Sequence, residues 1–345
     1  MVFGNLSTGY WLGAAGGGAT EYKVIGRTAV SSGDDIDVTV TAKDNMMVLQ
    51  HLVASGNIDQ GMHFNDDGGS GGSSNYAWRI RRAGSVTGQG INTYRLNTEE
   101  TYPHTAFEIH NMQHTNGQEK TVQWNVCQAN SAGAGTAPER NEGVGKWVTT
   151  GDITKVSFTN IDSGDYASGS EVVVLGCDND ESDSDTNAWE ELADVTLSGA
   201  SDTLIDATIT AKKYLMIQEH KIPTGNCRSK YQFNGDTAAN YAIRSSDDGG
   251  SDATSTSIPE IYAYITGGTS EAFINTYIVN TAAQEKLTMT EIVEQNIAGA
   301  GTAPQRRELV GKWANTSNQI TSIKVFNDGT GDFDTGSSIK VWGFD

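Results

Sequence analysis

The phrase AGAGTAPERNEGVGKW, residues 132–147, returns as AGAGTAPQRRELVGKW at residues 298–313, with thirteen of sixteen positions identical at an offset of 166. An echo this long at so wide a period restricts the chain to a fold that is built twice. Other matches fall in the same order along the chain. IDVTVTAK at 36–43 is answered by IDATITAK at 205–212, NYAWR at 75–79 by NYAIR at 240–244, and QEK at 118–120 by QEK at 284–286. YASGS at 166–170 corresponds to FDTGS at 333–337. INTY at 91–94 and 274–277 stands at the larger offset of 183, which predicts a longer loop in the second copy around Asp247 to Thr269. The matches divide the chain by internal duplication into an arm 1–19, a domain 20–177, an acidic linker 178–187 and a domain 188–345.

Within each copy the hydrophobic period is two. DIDVTVT, from Asp35, puts Ile36, Val38 and Val40 on one face, and LIDATIT, from Leu204, keeps the same phase. KTVQWNV and KLTMTEI alternate in the same way, and no long stripe of period 3.6 appears. With Gly 40, Pro 5 and 37% apolar residues, the chain suits short strands joined by many turns. The prediction is an all-β protein of two tandem homologous β-sandwich domains in jelly-roll order, with about eight strands each.

The charge excludes several partners. Asp and Glu total 43 against 23 Lys and Arg, a formal charge of −20. No basic patch is available to release counterions from phosphate, so neither nucleic acid nor an anionic membrane surface is an expected partner. No window approaches the 18 apolar residues of a membrane span, and the first twenty residues lack the basic start and apolar run of a signal peptide. Cys127, Cys177 and Cys227 form no CxxC pattern and read as free thiols from a reducing compartment.

Chemistry-bearing motifs are few. No Gly-x-Ser-x-Gly elbow or Cys–His pairing stands out, and the glycines of 13–18 lack the strand, helix and Lys-Ser/Thr of a phosphate loop. His51 and His220 occupy corresponding positions, and His110 and His114 have the i,i+4 spacing of a helical metal pair without a zincin glutamate. DDGGS occurs twice. Asp66, Asp67, Asp247 and Asp248 therefore form candidate calcium loops, the one cofactor the sequence puts forward. The first loop precedes NYAxR and the second follows it, so the two are not equivalent, and turn chemistry explains both as well. Trp147 and Trp313, with Tyr76 and Tyr241, are candidates for stacking on a glycan or a partner; the competing reading is a core or rim indole that plugs one end of each sandwich with its N–H on a backbone carbonyl. Pro138, Arg140, Lys146, Trp147, Gly169 and Ser170, echoed by Pro304, Arg306, Lys312, Trp313, Gly336 and Ser337, read as repeated architecture with no proton-transfer pair among them.

The end of the chain carries a resemblance. GKWANTS at 311–317 leads into QITSIKV at 319–325, then Phe333, Gly336-Ser337 and a last strand ending at Gly343. This pattern resembles virion proteins of tailed phages and related prokaryotic viruses. The first copy keeps Tyr166, Gly169-Ser170 and Leu175-Gly176 but reads WVTTG after its tryptophan. The resemblance spans about 45 residues per copy and implies β-sandwich domains displayed on a virus particle, as capsid, decoration or tail-appendage component. Such a protein would assemble in the host cytoplasm, associate with itself and other virion proteins, and catalyse nothing. Two other functions fit the same residues: an adhesin for a host-surface glycan, and a subunit of a prokaryotic extracellular filament.

Overall fold

The structure is a computed structural model. It describes residues 22–345 except 73, 85, 103, 115–116, 180–186, 200–201 and 265–267, with side chains of 86 and 97–102 left aside. The expected arm 1–19 and most of the acidic linker lie outside the described residues.

The described residues form strands and no helix. The first twelve are β1 (Lys23–Val30), β2 (Asp35–Thr39), β3 (Asn45–Leu52), β4 (Ile58–Phe64), β5 (Tyr76–Arg82), β6 (Val86–Thr93), β7 (Leu96–Tyr102), β8 (Ala106–Gln113), β9 (Lys120–Gln128), β10 (Glu139–Trp147), β11 (Lys155–Asn160) and β12 (Ser170–Cys177). The second twelve are β13 (Glu190–Thr196), β14 (Leu204–Thr208), β15 (Tyr214–Lys221), β16 (Ser229–Phe233), β17 (Tyr241–Asp247), β18 (Ala253–Ile258), β19 (Ile261–Tyr262), β20 (Ala272–Val279), β21 (Lys286–Glu294), β22 (Gln305–Trp313), β23 (Ser322–Asn327) and β24 (Ser338–Phe344).

Each set makes an eight-stranded sheet over a four-stranded one. The first orders are β1-β12-β3-β8-β9-β10-β5-β6 and β2-β11-β4-β7; the second orders are the same with every number raised by twelve. Pairing is antiparallel and nested, β1 with β12, β2 with β11, β3 with β8 and β4 with β7. That is a long hairpin rolled into two sheets, the jelly-roll pattern. The sequence predicts about eight strands per copy, whereas each half has twelve among the described residues, and KTVQWNV, one of those expected, is β9 and lies outside this nested frame of eight. The four beyond it, β5, β6, β9 and β10, are two hairpins that widen one sheet.

Two expectations are corrected. INTY at 91 lies on the edge strand β6 with Ile91 70% exposed, whereas INTY at 274 lies on β20 with Ile274 in the core. The two copies of INTY are not equivalent, because β6 corresponds to β18 and β8 to β20. The span Asp247 to Thr269 is therefore not an inserted loop; it contains β18 and β19.

The inward faces fill each sandwich with Ile36, Val38, Met62, Phe158 and Val174 in the first half and Ile205, Ala207, Tyr231, Val325 and Val341 in the second. One difference between the two phrases follows from packing. Gly143 on β10 pairs with Trp124 on β9, and a Cβ there would stand 2.3 Å from the indole. At the corresponding pair of the second half, Leu309 faces Thr290. Bulk has moved across the strand pair, from tryptophan over glycine to leucine over threonine. Gly143→Leu alone should overpack the first core by about 1–3 kcal/mol, and Trp124→Thr alone should cost about 3–5 kcal/mol by cavity formation. The double variant should lose clearly less than the sum, read as a favourable coupling in a urea-melt double-mutant cycle. Additive losses would refute the exchange.

The two large sheets also face each other. Met47, Leu49, Phe107, Cys127, Val173 and Leu175 of the first half meet Tyr214, Met216, Val279, Leu287, Met289 and Phe344 of the second in a third apolar cluster. The molecule is a four-layer block, with small sheets outside and large sheets joined along this seam.

Candidate functional site: the tryptophan corners and the seam

Each repeated phrase ends in the same aromatic corner. Trp147 and Trp313 are each 1% exposed and close one end of a sandwich. Tyr76 stacks on Trp147 at 6.3 Å and 11°, and Tyr241 on Trp313 at 6.2 Å and 14°. Phe64 and Phe233 complete the corners at 5.4 and 5.9 Å from the indoles. The indole N–H of Trp147 donates to Asp67 at 2.6 Å, and that of Trp313 to Asp236 at 2.7 Å. Asn75 and Asn240, the first residues of NYAxR, donate to the same carboxylates at 2.9 Å. The tyrosine hydroxyls accept from the backbone N–H of Phe64 and Phe233 at 2.8 and 2.9 Å. Burial works to raise the Asp236 carboxyl, but donors from Asn240, Trp313 and the Ala238 backbone hold it below its ordinary range.

This corrects the stacking expectation. Trp147, Trp313, Tyr76 and Tyr241 present no free ring face to a sugar, since all four rings are consumed by the core. The indole needs its polar tip satisfied when buried, and Asp67 or Asp236 supplies the acceptor.

The QEK repeat serves the same corner. Lys120 donates to the carbonyls of Gln118 and Thr150 at 2.7 and 3.1 Å, and Lys286 to those of Gln284 and Asn315 at 2.9 and 2.7 Å. Each buried ammonium ties a strand start to the turn that follows the tryptophan. Burial pushes Lys286 down to about 8. The Gly-Ser pairs act at the other end. Gly169 (φ 102°) and Gly336 (φ 89°) take the left-handed turn open to glycine. The hydroxyls of Ser170 and Ser337 then bridge the backbone N–H and C=O of Val53 and Ile222.

The acidic loops do not assemble a shared ligand set. Asp67 is engaged by Trp147 and Asn75, and Asp66 pairs with Lys155 at 2.6 Å. Asp247 pairs with Arg307 at 3.3 Å, and Asp248 accepts from the Arg306 backbone at 2.9 Å. The counterpart of Asp67 is Asp236, not Asp247. These carboxylates cap turns and neutralise cations, and among the described residues no group of three or more His, Cys, Asp and Glu is placed to hold a metal.

The seam makes equal motif positions unequal. Arg140 is buried between Glu142 at 3.2 Å and Asp252 of the second half at 2.9 Å, while Arg306 sits partly exposed on Glu308. Lys312 is fully buried and donates to the carbonyls of Ala129 and Ser131 at 3.0 and 2.5 Å, while Lys146 sits in solvent on Glu119 at 2.9 Å. Pro138 offers its carbonyl to Arg244 at 2.8 Å; Pro304 is exposed. The glycine run of the first phrase is held by the second half, Ser257 N–H to Ala134 carbonyl at 2.8 Å.

Sequence reasoning missed the polar groups sealed inside each sandwich. In the first, Glu108 accepts from His110 at 2.8 Å and from Gln60, which in turn pairs with Gln50 and accepts from Tyr166 at 2.8 Å. In the second, Glu219 accepts from Tyr231 at 2.7 Å and from Ser229, and burial pushes its carboxyl up to about 6. The signal was a charge at an inward step of an alternating strand, as in AFEIHNMQ. His110 and His114 do not converge: His110 lies in the core, and His114 accepts from the Ile153 N–H at 3.0 Å. The three cysteines are buried, and none of them is in a disulfide.

No family model and no curated protein matches the chain. Among solved structures, the mouse laminin alpha1 chain, domains LG4-5, aligns over 94% of this chain and 90% of its own at 10% identity and a TM-score of 0.19. Human GIVD cytosolic phospholipase A2 aligns over 79% of this chain and 33% of its own at 8% identity and a TM-score of 0.15. Scores this low carry no argument about either fold or function.

Proposed function

We propose that this chain is a structural component of the outer shell of a virus particle, as capsid, decoration or appendage protein, and that it assembles with copies of itself. The observation that carries the reading is the four-layer block: two jelly rolls of identical strand order, joined through apolar sheet faces rather than hinged. Jelly rolls serve as capsid and lectin domains, and a rigid double unit suits a lattice. The residues the sequence repeats most faithfully maintain corners and the seam, as a building block requires. The C-terminal resemblance points the same way, and a duplication of one ancestral sandwich accounts for the two halves. The edge strand β6 offers a contact, since Ile91 is 70% exposed and Tyr94 just beyond it 45%.

Sedimentation velocity across a wide concentration range, followed by negative-stain microscopy, tests this. The expected result is concentration-dependent assembly into closed or sheet-like particles, weakened by Ile91→Lys. A protein that stays monomeric at the highest concentration and is missing from purified virions overturns it.

A further inference from the structure

The seam leaves one end of each large-sheet face in contact with solvent, and the two open ends differ in kind. On the first half the open row is Asn45, Gln113, Thr121 and Lys146, paired across β3, β8, β9 and β10. All four are polar, as a face kept in water requires. On the second half the open row is His220, Phe273, Val293 and Arg306, paired across β15, β20, β21 and β22. Phe273 is 36% exposed, and Val293, directly opposite it, 46%. Ile297, just past the end of β21, is 60% exposed.

In the first half the row that corresponds to this second one is covered. It consists of His51, Phe107, Cys127 and Arg140, each at most 5% exposed. The second half supplies the cover. Tyr214 lies 6.2 Å from Phe107, the Gly311 carbonyl accepts from the Cys127 thiol at 3.6 Å, and Asp252 pairs with Arg140 at 2.9 Å. The turn after β9 is docked as well, its Ala129 and Ser131 carbonyls taken by Lys312. The turn after β21 is built alike, with Asn296 at φ 66° as Asn130 is, but Ile297 stands where Ser131 does and reaches solvent. Phe273, Val293 and Ile297 thus form an apolar patch rimmed by His220, Glu271 and Arg306, at positions the first half keeps buried. Such a patch marks a surface that another protein covers.

We propose that this row is an interface between copies of the chain, the β20–β21 face of one copy packing on the same face of another about a two-fold axis. The occupant follows from continuity. The row extends the sheet face that the seam already uses, and what covers that face in this chain is the large sheet of a jelly roll. A two-fold contact sets the patch against itself, so apolar meets apolar. The net charge of −20 opposes the approach of two copies, so the contact strengthens as salt screens it, opposite to a contact held by ion pairs. This interface presupposes the self-assembly proposed above and is separate from the edge strand β6.

The test is sedimentation equilibrium of the full chain at low and high salt, for the parent, Val293→Lys, Thr121→Lys and Ile91→Lys. Expected is a dimer as the first associating species, tighter at high salt. Its dissociation constant should rise about tenfold or more in Val293→Lys and stay unchanged in Thr121→Lys, which makes the same charge change at the polar end. Val293 is an exposed strand position, so Val293→Lys should melt with the parent; the isosteric Val293→Thr should weaken the dimer in the same direction. Association that Ile91→Lys weakens and Val293→Lys does not overturns this interface and leaves the shell proposal standing. Association that weakens with salt overturns it too. A chain monomeric at every concentration overturns both, and if removal of residues 1–19 then makes it dimeric, the row is covered by the chain's own arm instead.

Discussion

Trp147→Ala should destabilise the first sandwich by about 3–5 kcal/mol, and Trp313→Ala the second by a similar amount. Each indole is 1% exposed and fills the end of a sandwich against a stacked tyrosine and a phenylalanine. Its removal leaves a cavity, takes away an aromatic partner and deprives Asp67 or Asp236 of a donor at 2.6 or 2.7 Å. Trp→Phe at either site keeps most of the ring contact and loses only the N–H bond, so it should cost roughly 1–2 kcal/mol, mostly the unmet carboxylate. Urea melts followed by far-ultraviolet dichroism read both series. A loss below about 1 kcal/mol for either alanine variant would return the tryptophans to the surface role that the sequence had left open.

The period-two strands, the repeated phrases and the jelly-roll class were legible because each depends on local signals: alternation, glycine at turns and matching order. Ile36, Val38 and Val40 lie inward as the alternation requires. The seam was less legible, though a trace of it was present. NMMVLQHL and EVVVLGC do not alternate; Val172 and Val174 point into their own sandwich, while Val173 and Leu175 point into the seam. A strand apolar at every step is buried on both faces, and that reading predicts a second layer over the large sheet. What covers it is not written locally. The positions Arg140 and Arg306 share one motif, yet one is locked across the seam and the other sits partly exposed on Glu308 of its own half, because docking is a property of two surfaces at once. INTY misled for a related reason: four residues recur by chance, and only strand pairing distinguishes an edge from a core.

Acid should unfold the protein steeply below about pH 4.5 while leaving it little changed between 4.5 and 6.5, and two buried groups of opposite sign set that shape. His51 lies on the outward face of β3 inside the seam; burial, with Lys213 acting in the same direction, pushes it down to about 3. An unfolded chain protonates this histidine near its ordinary 6.5. The unfolded state therefore binds more protons throughout that window. The neutral His51 contributes stability present above 6.5 and lost as pH falls toward 3, about 5 kcal/mol in all. Glu219 runs the other way. Its folded value of about 6 stands above the ordinary 4.5, so the folded state holds the extra proton. Its contribution is complete below 4.5 and declines as pH rises through 6, about 2 kcal/mol. On acidification from 6.5 to 4.5 the histidine removes about 3 kcal/mol and the glutamate restores about 2. Below 4.5 only the loss continues, joined by Asp37 and Asp236, whose lowered carboxyls give up stability there. His63 and His114, also held down by burial, tilt the upper window slightly toward loss. Thermal melts across the acid range should then show Glu219→Gln beginning its decline near 6.5, and His51→Gln retaining stability well below 4.5. Superimposable acid curves for His51→Gln and the parent would dispose of the histidine's role.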